Sequence, residues 1–156
     1  MKLTPAPILI LRLAVALFFL HLGYTKIESG WLTSSERLQK SLSYFEQNAP
    51  PASKWYIEHI AKPGIDLWSR LIAVGETALG ISLFLGLLVR LSTIIGILTV
   101  LNFHLTNGTL LSLSLLGNPW AILVIPPLFV LFLTRAGRSF GFDALLAKGK
   151  SKSMLY

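Results

Sequence analysis

Apolar runs long enough to approach the thickness of a bilayer, broken by a few costly charges, constrain this chain more than any other feature. The first run spans about Ile8 to Tyr24, interrupted only by Arg12 and His21. The second spans about Leu67 to Val89 and contains Arg70 and Glu76. The third follows Arg90 and reaches about Asn107, or Leu116 if the turn-type dipeptide Asn107-Gly108 only breaks it. The fourth opens at Asn118-Pro119-Trp120, a polar cap with proline at the first helical position, and closes near Thr134. Pro126-Pro127 lies inside it and should kink it, freeing carbonyls near Ile122 and Leu123 for another partner. Hydrocarbon offers no water to the backbone, so such runs cross it as helices of roughly 20 residues. The third and fourth runs are short for this, but an even number of spans places both termini on one side.

Composition agrees. Of the 156 residues, 53% are hydrophobic and 13% charged, against about 25% charged in a soluble domain. The mean hydropathy is +0.66. Disorder is ruled out on these grounds, and a soluble globular fold is disfavoured because so few polar groups could not cover its surface. The chain has no cysteine, which removes disulfides, thiol redox motifs and thiolate metal sites. The first run is not followed by a small-residue cleavage site, so it reads as a retained helix and not a signal peptide.

The net charge of +7 is placed as a topology signal. Lys2, Arg90, Arg135, Arg138, Lys148, Lys150 and Lys152 fall on the side of the termini, opposed by Asp143 alone. The 25–66 segment balances five basic against five acidic residues. Positive flanks mark the cytoplasmic side. The expectation is a bacterial-type inner-membrane protein with both termini cytoplasmic, 25–66 outside and 135–156 as a basic tail. Trp31, Trp55, Trp68 and Trp120 all fall near the outer interface, where indoles favour the headgroup level. No basic platform for nucleic acid is present.

The 25–66 segment has its own pattern. Thr33 and Glu36 have capping-box spacing. Leu38, Leu42 and Phe45 follow on one helix face, and Asn48-Ala49-Pro50-Pro51 ends that helix. Ser53 to Ala61 reads as a second short helix, and the pair should form an amphipathic cap. The fold expectation is therefore all-α: a single-domain, four-helix integral membrane bundle over 1–156, capped between its first and second spans.

Ionisable groups inside spans cost about 2.5–3.5 kcal/mol each near the bilayer centre on insertion scales, so each needs a partner. Counted from the edges of their runs, Arg12 and Glu76 lie at similar depth, which suggests a buried Arg12–Glu76 ion pair fixing helix register. Gly75, Ala78, Ser82 and Gly86 form a small-residue stripe suited to close helix packing. Nearer the outer side, His21, Lys26, Arg70, Asn102 and His104 form a second polar cluster. His21, Arg70 and His104 are the candidate cofactor-binding residues, offering donors to a quinone carbonyl or an anion between Trp68 and Phe103. The competing reading is that they only bridge helices. The histidines could also ligate a tetrapyrrole, but two of them without a third ligand make a poor metal site, so no metal is expected.

The motifs resemble those of DoxX-like membrane proteins. Arg12, then His21-Leu22-Gly23-Tyr24-Thr25-Lys26, carries the likeness, as do Gly75-Glu76 with Gly80, Gly86 to Arg90, His104, and Gly137-Arg138-Ser139-Phe140-Gly141-Phe142-Asp143. The resemblance implies a four-helix membrane bundle akin to the small membrane subunit of thiosulfate:quinone oxidoreductase. The 25–66 segment is longer than the family core needs. Two functions follow as expectations: a component of a quinone-linked membrane oxidoreductase, or a non-enzymatic structural or assembly subunit of a larger respiratory or photosynthetic complex. A transporter is a third and more remote reading. Lipid is the expected environment, and other membrane subunits or further copies of the chain are the expected partners.

Overall fold

The computed structural model describes residues 5–110 and 119–147. Among them every regular element is helical: α1 (Pro5–Glu28), α2 (Glu36–Asn48), α3 (Pro51–Tyr56) running into a π turn (Ile57–Ala61), α4 (Ile65–Leu85), α5 (Val89–Thr106), α6 (Pro119–Leu133), a 3-10 turn (Ala136–Arg138) and α7 (Phe142–Ala147). Helices α1, α4 and α5 are long and apolar enough to cross a membrane, and Ala121–Leu133 of α6 is a shorter apolar helix. The expected all-α bundle with a helical cap is thus the observed one. Helix α5 ends at Thr106, and Gly108 then turns the chain with a φ of +81°. The extension towards Leu116 lies outside the described residues.

The four long helices alternate in direction. Helix α1 packs chiefly on α4 and α5 on α6, while α1–α6 and α4–α5 contacts close the ring. Phe19, Leu79, Leu83, Val124, Leu128 and Leu131 fill its centre. Ile10, Leu17, Ile81, Leu98 and Leu123 face outwards, as a surface against lipid requires. Lipid tails are as apolar as leucine, so this bundle is held by close packing and internal polar bonds more than by hydrophobic burial.

The close approach comes from glycines other than the expected stripe. A Cβ on Gly80 would lie 2.7 Å from the Leu20 amide nitrogen, and one on Gly23 would lie 2.7 Å from that of Thr77. Gly75 has open space, and Ala78 is exposed. Of the predicted packing stripe only Gly86 is buried. Gly80→Ala is expected to lower stability by about 1–3 kcal/mol through overpacking against backbone. Gly75→Ala should instead be neutral or stabilising by up to about 1 kcal/mol, because it only removes glycine's conformational freedom. Thermal midpoints in one detergent compare them, and equal losses at both positions would contradict this seam.

The cap sits at the end of the bundle where α1 finishes and α4 begins. Leu38 and Leu42 of α2 pack on Ile57 and Ala61, with Trp31, Phe45, Tyr56, Ile65 and Ile72 around them. The expected Thr33–Glu36 capping box does not form. Thr33 donates its hydroxyl to the Gly30 carbonyl instead, the Glu36 amide donates to Ser34 Oγ, and Ser35 bonds Asp66 Oδ1 at 2.6 Å, tying the start of α2 to α4. Ser53 donates to the Leu105 carbonyl at 2.6 Å, and Tyr56 to Asn102 Oδ1 at 2.5 Å, tying the cap to α5.

At the opposite end, residues 136–147 are folded into the bundle and not merely a basic tail. The amides opening α5 have no cap from Leu88, whose backbone is left-handed with a φ of 51°. Asp143 supplies one from a distance: its carboxylate accepts from the amides of Leu88 at 2.6 Å and Val89 at 3.0 Å. A negative charge at a helix N-terminus also suits the helix dipole. Residues 148–156 lie outside the described part.

Candidate functional site

Register decides which charges meet. Gly23 against Thr77 and Leu20 against Gly80 fix the antiparallel alignment of α1 and α4. In that alignment Glu76 stands level with residue 24, twelve positions from Arg12, or about 18 Å at helical rise. The expected Arg12–Glu76 pair therefore does not form. Glu76 pairs with Lys26, Nζ to Oε2 at 2.5 Å, with side-chain exposures of 20% for Lys26 and 8% for Glu76. Depth counted from the run edges failed because the edges are not level: the outer edge of the first run, Tyr24, stands opposite Glu76, nine residues into the second run from Leu67. Lys26 also lies 5.5 Å from the centre of the Trp31 ring, a cation–π contact from the cap.

Arg12 has other partners. It is 1% exposed and donates through Nη1 to the carbonyls of Ala136 at 2.7 Å and Ser139 at 3.0 Å, and through Nη2 to Phe140 at 2.9 Å. Asp143 is near enough for its charge to act on the guanidinium. The planar fork of arginine suits three carbonyls at once. Gly86 and Gly141 leave room for it, since a Cβ on either would fall within 2.9 Å of Nη1.

The Lys26–Glu76 pair borders two adjoining cavities. One, of about 200 Å³, lies between α1, α5 and α6, and its walls are Phe18, Phe19, Leu22, Val100, Phe103 and Val124. His104 lines it with Lys26, Glu76 and Thr99. The other, of about 380 Å³, lies beneath the cap and is walled by Trp31, Phe45, Tyr56, Trp68 and Phe103. Lys26, Glu76, Thr99 and Phe103 border both. Burial pushes the Tyr56 phenol up from its ordinary pKa, against the opposing pull of its bond to Asn102. That phenol stays protonated at neutral pH and bridges the cap to α5.

His104 is fully buried. Its Nδ1 lies 2.7 Å from the Thr109 hydroxyl. Its Nε2 has no hydrogen-bond partner among the described residues. A buried polar atom left without a bond is costly, and such atoms mark ligand sites more often than chance.

The expected trio of His21, Arg70 and His104 is not brought together. His21 and Arg70 are exposed and line neither cavity. Arg70 lies in the second turn of α4, where its long side chain can reach the headgroup level, so it needs no buried partner. His104 remains of the trio, joined by Lys26 and Glu76. Trp68 and Phe103 both line the cavity beneath the cap, but of the two only Phe103 also lines the cavity that holds His104. The histidine and the carboxylate were legible as costly polar residues in spans. Lys26 already belonged to the outer polar cluster read from the sequence, but its pairing with Glu76 depended on register. No group of three or more His, Asp or Glu suited to a metal occurs among the described residues.

The site can hold a flat, largely apolar molecule with polar ends. Aromatic and aliphatic walls would cover its faces, while an ammonium, a carboxylate and an imidazole meet its polar atoms.

In comparison with known families, residues 7–108, well over half of the chain, match the DoxX family model. No curated protein and no solved structure matches the chain.

Proposed function

Because the chain belongs to the DoxX family of membrane proteins, we propose that it is the membrane component of a quinone-linked oxidoreductase, with Lys26, Glu76 and His104 lining the quinone site. The observation that carries this reading is the apolar cavity of about 200 Å³ in which a half-buried ion pair and a buried, partly unbonded imidazole line the same space. A quinone, when bound, supplies the two-electron, two-proton chemistry. The chain's own residues bind and orient it. Phe18, Phe19 and Val100 cover ring faces, and Lys26 has N–H groups beyond the one given to Glu76. His104 offers Nε2, a ring nitrogen with no hydrogen-bond partner among the described residues, to a polar atom of the ring.

In this proposal the basic end faces the cytoplasm of a bacterial-type inner membrane, following the charge asymmetry. The cap and its cavity then face outwards, on the side where an electron donor would arrive. A neighbouring membrane subunit, or a second copy of the chain, completes the assembly. Its support is His21, exposed on α1 between the exposed Leu17 and Tyr24. The same feature supports the reading as a subunit of a larger respiratory or photosynthetic complex.

Quinone binding to the purified protein in mild detergent tests the proposal. One equivalent of a short-chain benzoquinone should bind per chain. Val100→Phe, which fills the cavity, should weaken binding roughly tenfold or more, the equivalent of the 1–3 kcal/mol typical of overpacking. Leu98→Phe, on an exposed face, should change nothing. Unaltered affinity in folded Val100→Phe would remove the quinone from this cavity. A protein that binds none, but purifies within a stable larger complex, would favour the structural subunit.

A further inference from the structure

The hydrogen bonds behind His104 fix what its free nitrogen can do. Asn107 Oδ1 accepts from the Thr109 amide at 3.0 Å and from the Thr109 hydroxyl at 2.6 Å. An amide oxygen can only accept, so the single hydroxyl proton of Thr109 is committed to Asn107. The contact between Thr109 Oγ1 and His104 Nδ1, at 2.7 Å, is then made by the proton of Nδ1. A neutral imidazole carries one proton, so Nε2 bears a bare lone pair. A charged imidazolium would need its own counter-ion, and Glu76 already serves Lys26 at 2.5 Å. The lone pair is fully buried, lies in a residue that lines the cavity, and has no partner among the described residues.

We propose that this cavity selects its ligand in a hydroxyl-bearing, hydrogen-bond-donating form, which for a quinone site is the quinol. The inference rests on the quinone reading above and specifies the redox form that the site prefers. A quinone presents only acceptor oxygens. It can accept from Lys26, but its other oxygen would meet the His104 lone pair with one of its own. A quinol hydroxyl donates to His104 Nε2 and still offers oxygen lone pairs to Lys26. To receive a quinone, the imidazole must move its proton from Nδ1 to Nε2. Thr109 must then turn its hydroxyl to Nδ1 and abandon Asn107. The preference is the worth of about one neutral hydrogen bond, which corresponds to roughly five- to tenfold in affinity. Thr109 and Asn107 act here as positioning residues, through the tautomer they impose.

The test compares binding of the oxidised and reduced forms of one short-chain benzoquinone to the full chain in detergent, the reduced form held by excess dithionite. The quinol should bind roughly five- to tenfold more tightly. His104→Phe should abolish the ratio. Thr109→Val, which leaves the imidazole in place but frees its tautomer, should lower the ratio towards unity while keeping quinone affinity. Nitrogen-15 spectra of histidine-labelled protein read the tautomer directly, and the three histidines are separated by single replacements. A His104 protonated at Nδ1 supports the proposal, and one protonated at Nε2 overturns it. Equal or tighter binding of the quinone overturns the selectivity but leaves the quinone site standing. Binding of neither form overturns both.

Discussion

Lys26→Met is expected to destabilise the bundle by about 3–5 kcal/mol, the range for a buried ion left without its partner. The stranded group is Glu76, buried in α4, whose carboxylate meets Lys26 across α1 and α4. Glu76→Gln should cost less, because an amide oxygen still accepts from the ammonium. The double variant Lys26→Met with Glu76→Gln should recover much of the loss of the lysine variant, since no uncompensated charge remains. Denaturation by titrated SDS from mixed micelles measures all three. A double variant as unstable as the sum of the singles would show that the two charges act independently. Quinone affinity should fall in every one of these variants, including the double. Recovered stability with lost binding would separate the part the pair plays in folding from the part it plays in the site.

Arg12→Leu should have an effect of similar size, also about 3–5 kcal/mol, but felt at the other end. Three carbonyls lose a charged donor, each such bond being worth about 1.5–3 kcal/mol when made, and relaxation of the segment limits the total. The segment they belong to includes Arg135 and Phe140, held in left-handed backbone with φ of 49° and 55°. Such conformations persist only where surrounding contacts enforce them. Residues 136–147 should therefore become the first site of proteolysis in detergent, ahead of any cut in the cap. Arg12→Lys keeps the charge but offers a point donor in place of the fork, so it should rescue only part of the loss. A variant with an intact, protected C-terminal segment would show that Arg12 is not what holds it. Asp143→Asn should cost about 1 kcal/mol, since an amide can still cap one of the two α5 amides.

Much of the architecture could be read from residue patterns, because lipid and backbone chemistry leave few choices. An apolar run of sufficient length must be a helix, and the alternation of Leu38, Leu42 and Phe45 with polar residues gave one face of α2. The start of α6 at Pro119 followed from a proline that needs no donor there. What could not be read was the offset between helices. The depth of Arg12 was inferred from where apolar letters begin, but the edges of two apolar runs need not be level. Gly23 and Gly80 set the register by contact, and that contact is a property of two surfaces, not of either sequence alone. The same offset carried Glu76 to Lys26 and left His21 and Arg70 on the outer surface. The long-range cap by Asp143 was likewise hidden, since nothing local marks an acid as serving a helix 54 residues away in the chain.

The bonds of Arg12 also impose an order in time. The first of its carbonyl partners, Ala136, lies 124 residues further along the chain. At translation rates of about 5–20 residues per second, roughly 6 to 25 seconds separate the synthesis of the two. Throughout that interval α1 is already made, and its guanidinium has none of its final acceptors. The nascent helix must wait with Arg12 drawn to the lipid headgroups, or in the shelter of the insertion machinery. Only when α6 has turned and residues 136–143 emerge can α1 settle to its final depth. The most deeply buried cation among the described residues is thus satisfied by a part of the fold made long after it, and closure at that end becomes a late step in biogenesis.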